Sequence, residues 1–286
     1  MSMRHTRLAA RVAVLALAAA TPLSAQTILH NEKSAFEDIV VYESRGERCM
    51  KFGSVHAPGR QTCQLPARPE QLLFDYTRMM MASLYLRPDP QRILVIGLGG
   101  GSLPMALARV VPKARIDVVE IDPAVARVAE RFFGFRTGPS MRVEVADGRA
   151  FVEAAARRGD RYDIVMLDAF DETYIPRHLS TVEFIREVRS ILRPDGVLAA
   201  NTFASSGSYA SESATYAEVF GPFYNLRGAN RVVLASAGAL PGQEEVAARA
   251  RSLQPALAPM GIDPDRLLPM FSTRPDWPQD ARPLRD

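Results

Sequence analysis

The most informative residues of the chain form a glycine-rich run directly after a stretch of apolar, mostly β-branched residues. Residues 93–96 read Ile-Leu-Val-Ile, and Gly97, Gly99 and Gly101 follow within five positions, before a segment that favours a helix. This pattern is typical of a buried strand that turns tightly into a helix. Glycine lets the main chain approach a ligand closely, so the run predicts a nucleotide-type ligand at this junction.

Acidic residues follow three later apolar runs, each where a strand is expected to end. They are Glu120, Asp147 and Asp168. The carboxyl ends of parallel strands meet at one edge of a sheet, where ligands bind. Glu120 could accept hydrogen bonds from both hydroxyls of a ribose. Asp147 could accept one from an adenine amino group; it could also cap the helix predicted from Gly148, and the two roles are compatible.

Asp168 and Asp171 form a pair of carboxylates after the fourth of these strands. Such a pair could hold a cationic amine, and one member could take its proton and leave the nitrogen nucleophilic. A carbon bound to a sulfonium could then accept the attack by in-line displacement, a reaction that depends on positioning. For Asp171, a place in a solvated turn with Glu172 is an equal alternative.

The elements that must position these residues alternate between strand and helix from residue 92 to about 236. This alternation predicts an α/β fold with a doubly wound, mostly parallel sheet. Apolar positions at helical spacing predict one helix over residues 68–86 and another over 241–258. The predicted strands are 92–96, 115–120, 141–145, 162–167, 196–202 and 231–236, and the predicted helices between them are 102–110, 123–133, 148–157, 179–192 and 211–220.

The N-terminal segment, residues 1–25, is typical of a secretory signal peptide, with three arginines, a short apolar run and small residues before Gln26. An uncleaved membrane anchor is the alternative; in both interpretations the remainder lies outside the cytoplasm, in the periplasm or secreted. The segment carries no acid. Without it, the 35 basic residues fall to 32 and balance the 32 acidic ones. This balance favours neither nucleic acid nor an anionic membrane as a partner.

The regions outside the alternating core are predicted as smaller units. Residues 26–66 predict a small antiparallel β module, residues 67–270 the nucleotide-binding domain, and residues 271–286 a loosely ordered Pro-rich tail that Trp277 could anchor. Cys49 and Cys63 could form a disulfide within the β module or pack as two buried apolar side chains. Four scattered histidines indicate no metal site.

The motifs together resemble the spermidine synthase (polyamine aminopropyltransferase) family over roughly residues 34 to 236. The residues that carry the resemblance are Ile93 to Ser102, Val119-Glu120-Ile121-Asp122, Asp147-Gly148-Arg149-Ala150-Phe151, Tyr162 to Asp168, and Leu192 to Val197. The resemblance implies a Rossmann-like sheet of the S-adenosylmethionine-dependent methyltransferase type behind a small N-terminal β module. It also implies decarboxylated S-adenosylmethionine as co-substrate, an amine or polyamine as acceptor, and often a homo-oligomer.

The roles of individual residues follow from the same resemblance. Glu120 would hold the ribose and Asp147 the adenine, beside Gly148 and the glycine run. Asp168 would accept the proton, while Asp171 and Tyr76 would hold the amine.

The chain departs from the family mainly in the amine half of the site. The family has an aspartate in its glycine loop where this chain has Gly100, and a His-Glu pair after the tyrosine where this chain has Thr77 and Arg78. An inward-facing arginine at 78 would repel a diamine.

These departures leave three functions open. The leading one is aminopropyl transfer to an amine. The second is methyl transfer from intact S-adenosylmethionine, as in spermidine-synthase-like methyltransferases. The third is an exported polyamine or nucleoside binding protein without catalysis. An exported enzyme would be separated from adenosyl donors, which are made in the cytoplasm. Either the segment is misinterpreted, a supply exists outside, or the protein binds without turnover.

Overall fold

The computed structural model describes residues 26–56, 60–169 and 175–286. They form a small antiparallel sheet followed by a larger α/β domain. The small sheet contains β1 (Thr27–Glu32), β2 (Ile39–Ser44), β3 (Glu47–Phe52) and β4 (Thr62–Gln64) in that order. Cys49 and Cys63 lie opposite each other on β3 and β4 and form a disulfide, which decides between the two alternatives left open by the sequence.

The large sheet has seven strands in the order β10-β11-β9-β8-β5-β6-β7. Strands β5 to β9 are parallel, while β11 and β10 are antiparallel to their neighbours. The strands are β5 (Arg92–Ile96), β6 (Arg115–Glu120), β7 (Met141–Val145), β8 (Tyr162–Leu167), β9 (Leu192–Phe203), β10 (Tyr224–Arg227) and β11 (Asn230–Ser236).

Helices cover both faces of this sheet, as expected for a doubly wound fold. The helices are α1 (Asp75–Met81), α2 (Ser83–Leu86), α3 (Ser102–Val110), α4 (Pro123–Phe132), α5 (Gly148–Arg158), α6 (Val182–Ser190), α7 (Tyr209–Phe220), α8 (Gln243–Leu257) and α9 (Pro264–Leu267). Among the described residues, no helix combines the length and apolar character needed to cross a membrane.

Side chains of the central strand β5 point alternately to the two faces of the sheet, and this explains why both faces are covered. Ile93 and Val95 on β5 pack into one apolar core, and Leu94 and Ile96 pack into a second core on the opposite face. All four side chains are almost completely buried. A parallel strand buried on both faces is therefore apolar at every position, which is the pattern seen in the sequence.

One predicted helix needs correction, and one strand was missed. The helix predicted over residues 68–86 is shorter, because α1 begins only at Asp75 and α2 follows it after Ala82. Arg68 instead forms an isolated bridge with Leu65, a turn follows, and residues 71–72 have no regular structure. The Leu72 amide donates to the carbonyl of Met260. The short strand β10 was not predicted at all.

The tail is less loose than its composition suggested. Trp277 stacks on Phe223 with 5.4 Å between ring centroids, as an anchor would. Farther along, Asp286 accepts hydrogen bonds from Arg149 on α5 and from Thr181 before α6. The last residues of the chain are therefore held against the helices of one face.

Candidate active site

A cavity of about 400 Å³ lies at the carboxyl ends of the central strands, beneath the small sheet. The chain runs outward from β5 to β6 and β7 on one side and to β8 and β9 on the other, so the cavity lies where the strand order reverses. Its described lining includes five acidic side chains and neither lysine nor arginine. The five are Glu37, Glu120, Asp122, Asp147 and Asp168.

The glycine loop forms the floor of this cavity between β5 and α3. Gly97, Gly99 and Gly101 have φ angles of 99°, 53° and 78°, which side chains rarely tolerate. At Gly97 a Cβ would lie 2.2 Å from the carbonyl oxygen of Asp168, so glycine is required for β5 and β8 to end side by side. At its glycine positions the loop therefore presents main chain to the cavity.

Glu120 is held rigidly at the end of β6. One of its carboxylate oxygens accepts the amide of Leu98 at 2.9 Å, and the other accepts the amide of Asp122 at 3.0 Å. Burial raises the pKa of Glu120, although these two hydrogen bonds act in the opposite direction. A fixed carboxylate with lone pairs remaining on each oxygen could bind the two hydroxyls of a ribose.

Asp147 caps helix α5, one of the two roles predicted for it, and it also lines the cavity. Its Oδ1 accepts the amide of Ala150 at 2.9 Å and caps α5, while Oδ2 lies 2.9 Å from Nε2 of His178. Burial by itself raises the pKa of Asp147, but these hydrogen bonds outweigh it and the pKa is lowered. Asp147, Gly148 and His178 all line the cavity, so this end could receive an adenine.

Asp168 lies at the end of β8, in the centre of the site. Its Oδ1 accepts Nδ2 of Asn201 at 3.0 Å, and Tyr76 hydrogen-bonds to the same carboxyl group. Burial raises the pKa of Asp168 to about 7, against the effect of both hydrogen bonds. Burial and the neighbouring Asp168 raise the pKa of Tyr76. A carboxyl group that titrates near neutral pH is suited to accept and release protons.

The small sheet contributes residues that the sequence did not single out. Ser34 accepts the amides of Phe36 and Glu37, both at 3.1 Å, and this turn places the latter two at the mouth of the cavity. Thr62 on β4 packs against Gly100 of the glycine loop. These contacts depend on how two separate sheets meet, so no local sequence signal could have identified them.

Three further candidate features have no assigned role in the described cavity. Asp171, predicted to hold the amine and assist catalysis, lies outside the described residues. Arg78 does not line the cavity, because its guanidinium binds Asp75 and the carbonyl of Leu72. The described residues that come closest to a metal-ligand cluster are Glu47 and the two cysteines, within 4.8 Å of one another, but the cysteine sulfurs are bonded to each other.

Comparison with known proteins agrees with this geometry. Residues 73–221 match the model of the spermine/spermidine synthase domain. The chain is 42% identical to a polyamine aminopropyltransferase of Vibrio vulnificus over 91% of this chain and 89% of that protein. The chain belongs to the spermine/spermidine synthase family.

Solved structures of this family and of methyltransferases share the fold. A probable spermidine synthase from Corynebacterium glutamicum superposes with a TM-score of 0.69, at 20% identity, and covers 93% of this chain and 97% of that one. Human methyltransferase-like protein 13, solved with S-adenosylhomocysteine (SAH), has a TM-score of 0.60 at 31% identity. That alignment covers 65% of this chain and 93% of the human one. The sequence-based fold class and family are therefore confirmed, and the protein is a transferase enzyme.

Proposed function

We propose that this protein transfers an aminopropyl group from decarboxylated S-adenosylmethionine to a small amine or polyamine. The observation that carries the proposal is the charge of the cavity, whose described lining has five carboxyl groups and no lysine or arginine. The decarboxylated donor has a sulfonium and an amine but no carboxylate, and the acceptor is also a cation. Both substrates therefore complement an acidic cavity.

Each residue of the site would have a separate role in binding or proton transfer. Glu120 binds the ribose hydroxyls, Asp147 receives the adenine amino group, and the glycine loop supports the sulfur. Asp168 takes a proton from the acceptor ammonium, whose nitrogen then attacks the propyl carbon next to sulfur. A carbon–nitrogen bond forms, the carbon–sulfur bond breaks with its electron pair going to sulfur, and methylthioadenosine leaves. No metal is needed for this step, because the leaving group departs as a neutral thioether.

The test is a product assay with purified protein, decarboxylated S-adenosylmethionine and a diamine. Methylthioadenosine and an aminopropylated diamine, formed in equal amounts, would support the proposal. Absence of both at every pH between 6 and 9, with a known aminopropyltransferase active in the same assay, would refute it.

One observation favours methyl transfer as a second candidate. The loop position at Gly100 carries no acid, and neutral hydroxyls of Thr62 and Ser102 lie beside it, 3.4 Å apart. A donor that keeps its carboxylate would meet less repulsion here than beside an aspartate. The human structure with SAH belongs to a methyltransferase of the same fold. Formation of SAH from intact S-adenosylmethionine would identify this reaction.

Export is part of the proposal. Residues 1–25 lie outside the described part of the chain, and their pattern supports a signal peptide cleaved before Gln26. The Cys49–Cys63 disulfide is of the kind that persists in an oxidising compartment. Mass spectrometry of the protein from periplasmic and cytoplasmic fractions tests this: a periplasmic chain that begins at Gln26 is expected, and a cytoplasmic chain that begins at residue 1 or 2 would contradict it.

A further inference from the structure

Asn201 is a buried polar residue next to the proposed base. It lies on β9, is 3% exposed, and is not among the residues that line the cavity. Its Nδ2 donates to Oδ1 of Asp168 at 3.0 Å. Among the described residues, its hydrogen bonds link Asn201 to the cavity through Asp168 alone.

The orientation of the Asn201 amide is fixed from its other side. Asn230, the first residue of β11, donates its Nδ2 to Oδ1 of Asn201 at 3.2 Å. If the Asn201 amide rotated by 180°, its NH2 group would face the NH2 group of Asn230, and its oxygen would face the carboxyl group of Asp168. Both contacts would be repulsive. With Asn230 donating to Oδ1, the donor side of Asn201 is the side left for Asp168, and the carboxylate and Asn230 favour the same orientation of the amide.

Few groups among the described residues stabilise the charged form of the buried Asp168 carboxyl. Tyr76 reaches it from α1 and Asn201 from β9, while Gly97, in the loop after β5, contributes no side chain. Glu37, Glu120, Asp122, Asp147 and His178 line the same cavity, but none is in hydrogen-bond contact with Asp168 among the described residues. Within the part of the chain that the structure describes, two neutral donors thus take the place of the basic partner that a buried carboxylate often has.

We propose that Asn201, oriented by Asn230, is a positioning residue that stabilises Asp168 as a carboxylate and leaves the remainder of that carboxylate for the acceptor amine. The inference rests on the proposed role of Asp168 as the base. With Oδ1 held by Asn201, the carboxyl plane is fixed before substrate binds. This arrangement reduces the reorganisation needed when the proton is transferred.

The experiment is a carboxyl-carbon NMR titration of aspartate-labelled full-length protein, with the Asp168 signal assigned by its loss in Asp168→Asn. In Asn201→Leu, loss of a hydrogen bond to a charged group should raise the midpoint by about one pH unit, or tenfold in proton affinity. Asn230→Ala should raise it less. Thr202→Val, which replaces a buried polar side chain at the next position of β9 whose hydroxyl has no hydrogen-bond partner among the described residues, should leave it unchanged.

The rising limb of kcat/KM against pH should move with the NMR midpoint in each variant, whereas KM for the donor should not change. An unchanged midpoint in folded Asn201→Leu, or in Asn230→Ala if the former does not fold, would overturn the inference. If wild-type protein shows no aminopropyl transfer, the proposed function fails, but the titration still decides whether Asn201 controls Asp168.

Discussion

The side chain of Thr62 occupies the space that a side chain at Gly100 would need. A Cβ at Gly100 would lie 2.7 Å from Cγ2 and 2.9 Å from Oγ1 of Thr62. Thr62 belongs to the small sheet and Gly100 to the glycine loop of the large domain. The missing acid in this loop is therefore coupled to a residue 38 positions earlier in the chain.

Gly100→Asp alone should destabilise the protein by about 1–3 kcal/mol, the usual cost of overpacking. Thr62→Ala removes the two closest atoms but leaves Cδ1 of Phe133 at 3.2 Å from the new Cβ, so the double variant should recover part of this loss. Urea unfolding of the wild type, both single variants and the double variant measures the coupling. If the changes in the free energy of unfolding of the two single variants simply add in the double variant, the contact with Thr62 does not restrict which residue fits at position 100.

The same double variant should also change the choice of donor. A carboxylate added at position 100 attracts an aminopropyl ammonium and repels the carboxylate of intact S-adenosylmethionine, so preference for the decarboxylated donor should rise about tenfold or more. Calorimetric titration with both donors measures the ratio of dissociation constants. Thr62→Ala/Gly100→Asn is the uncharged control of similar size, and an equal change in that control would exclude a charge effect.

Glu120→Gln should weaken binding of either adenosyl donor by about 10- to 100-fold, the cost of losing a hydrogen bond to a charged group. A glutamine NH2 group cannot accept a hydrogen bond from the backbone amide, nor from the ribose hydroxyl of the proposed complex. The dissociation constant for methylthioadenosine measures the effect without turnover. Glu144→Gln, at an exposed position on β7, is the control. Unchanged affinity in Glu120→Gln would remove the ribose assignment.

The residues at the strand ends could be predicted from sequence, because apolar runs bounded by Gly97, Glu120, Asp147 and Asp168 mark where buried parallel strands stop. Strand ends in such a sheet meet at one edge, so local patterns predicted a shared site. Asn201 gave no such signal, because it lies inside a strand and its role depends on the neighbouring β8.

The remaining errors also have physical causes. Helical spacing before Asp75 reflects burial of side chains such as Leu72 under other segments, not helix formation, since its amide pairs with Met260. Strand β10 has only four residues, too few to show a period of two. The approach of Thr62 to Gly100 depends on docking of two sheets and could not be read from either segment.

Loss of the Cys49–Cys63 disulfide should lower the free energy of unfolding by about 3 kcal/mol, because the bond closes a loop of 14 residues in the unfolded chain. Urea unfolding with and without reductant measures this. The double variant Cys49→Ser/Cys63→Ser should be as unstable as the reduced wild type and should not respond to reductant. Equal stability of oxidised and fully reduced wild type, with reduction verified by thiol titration, would contradict the prediction.

Asp168→Asn should lower kcat by about 10²- to 10⁴-fold, the usual contribution of a general base. Donor affinity should not change, because the contacts proposed for the adenosyl group are made by Glu120 and Asp147. In the wild type, kcat/KM should rise with pH through about 7, since only the carboxylate accepts a proton. Asp280→Asn, at an exposed position in the tail, is the control. A residual rate within threefold of wild type would remove Asp168 from the role of base.

The same variant should be more stable than wild type at neutral pH. The pKa of Asp168 is about 7 in the folded protein and about 3.9 in an unfolded chain, so the folded state binds the proton more tightly. Wild type therefore loses stability between pH 4 and pH 7, by at most about 4 kcal/mol, and this loss is complete above pH 7. Asparagine keeps the shape of the aspartate side chain but does not ionise. The stability difference between Asp168→Asn and wild type should grow from pH 4 to pH 7 and then level off, as measured by urea unfolding. A difference that does not vary with pH would mean that Asp168 is ionised at no cost, and that the site is more solvated than its geometry indicates.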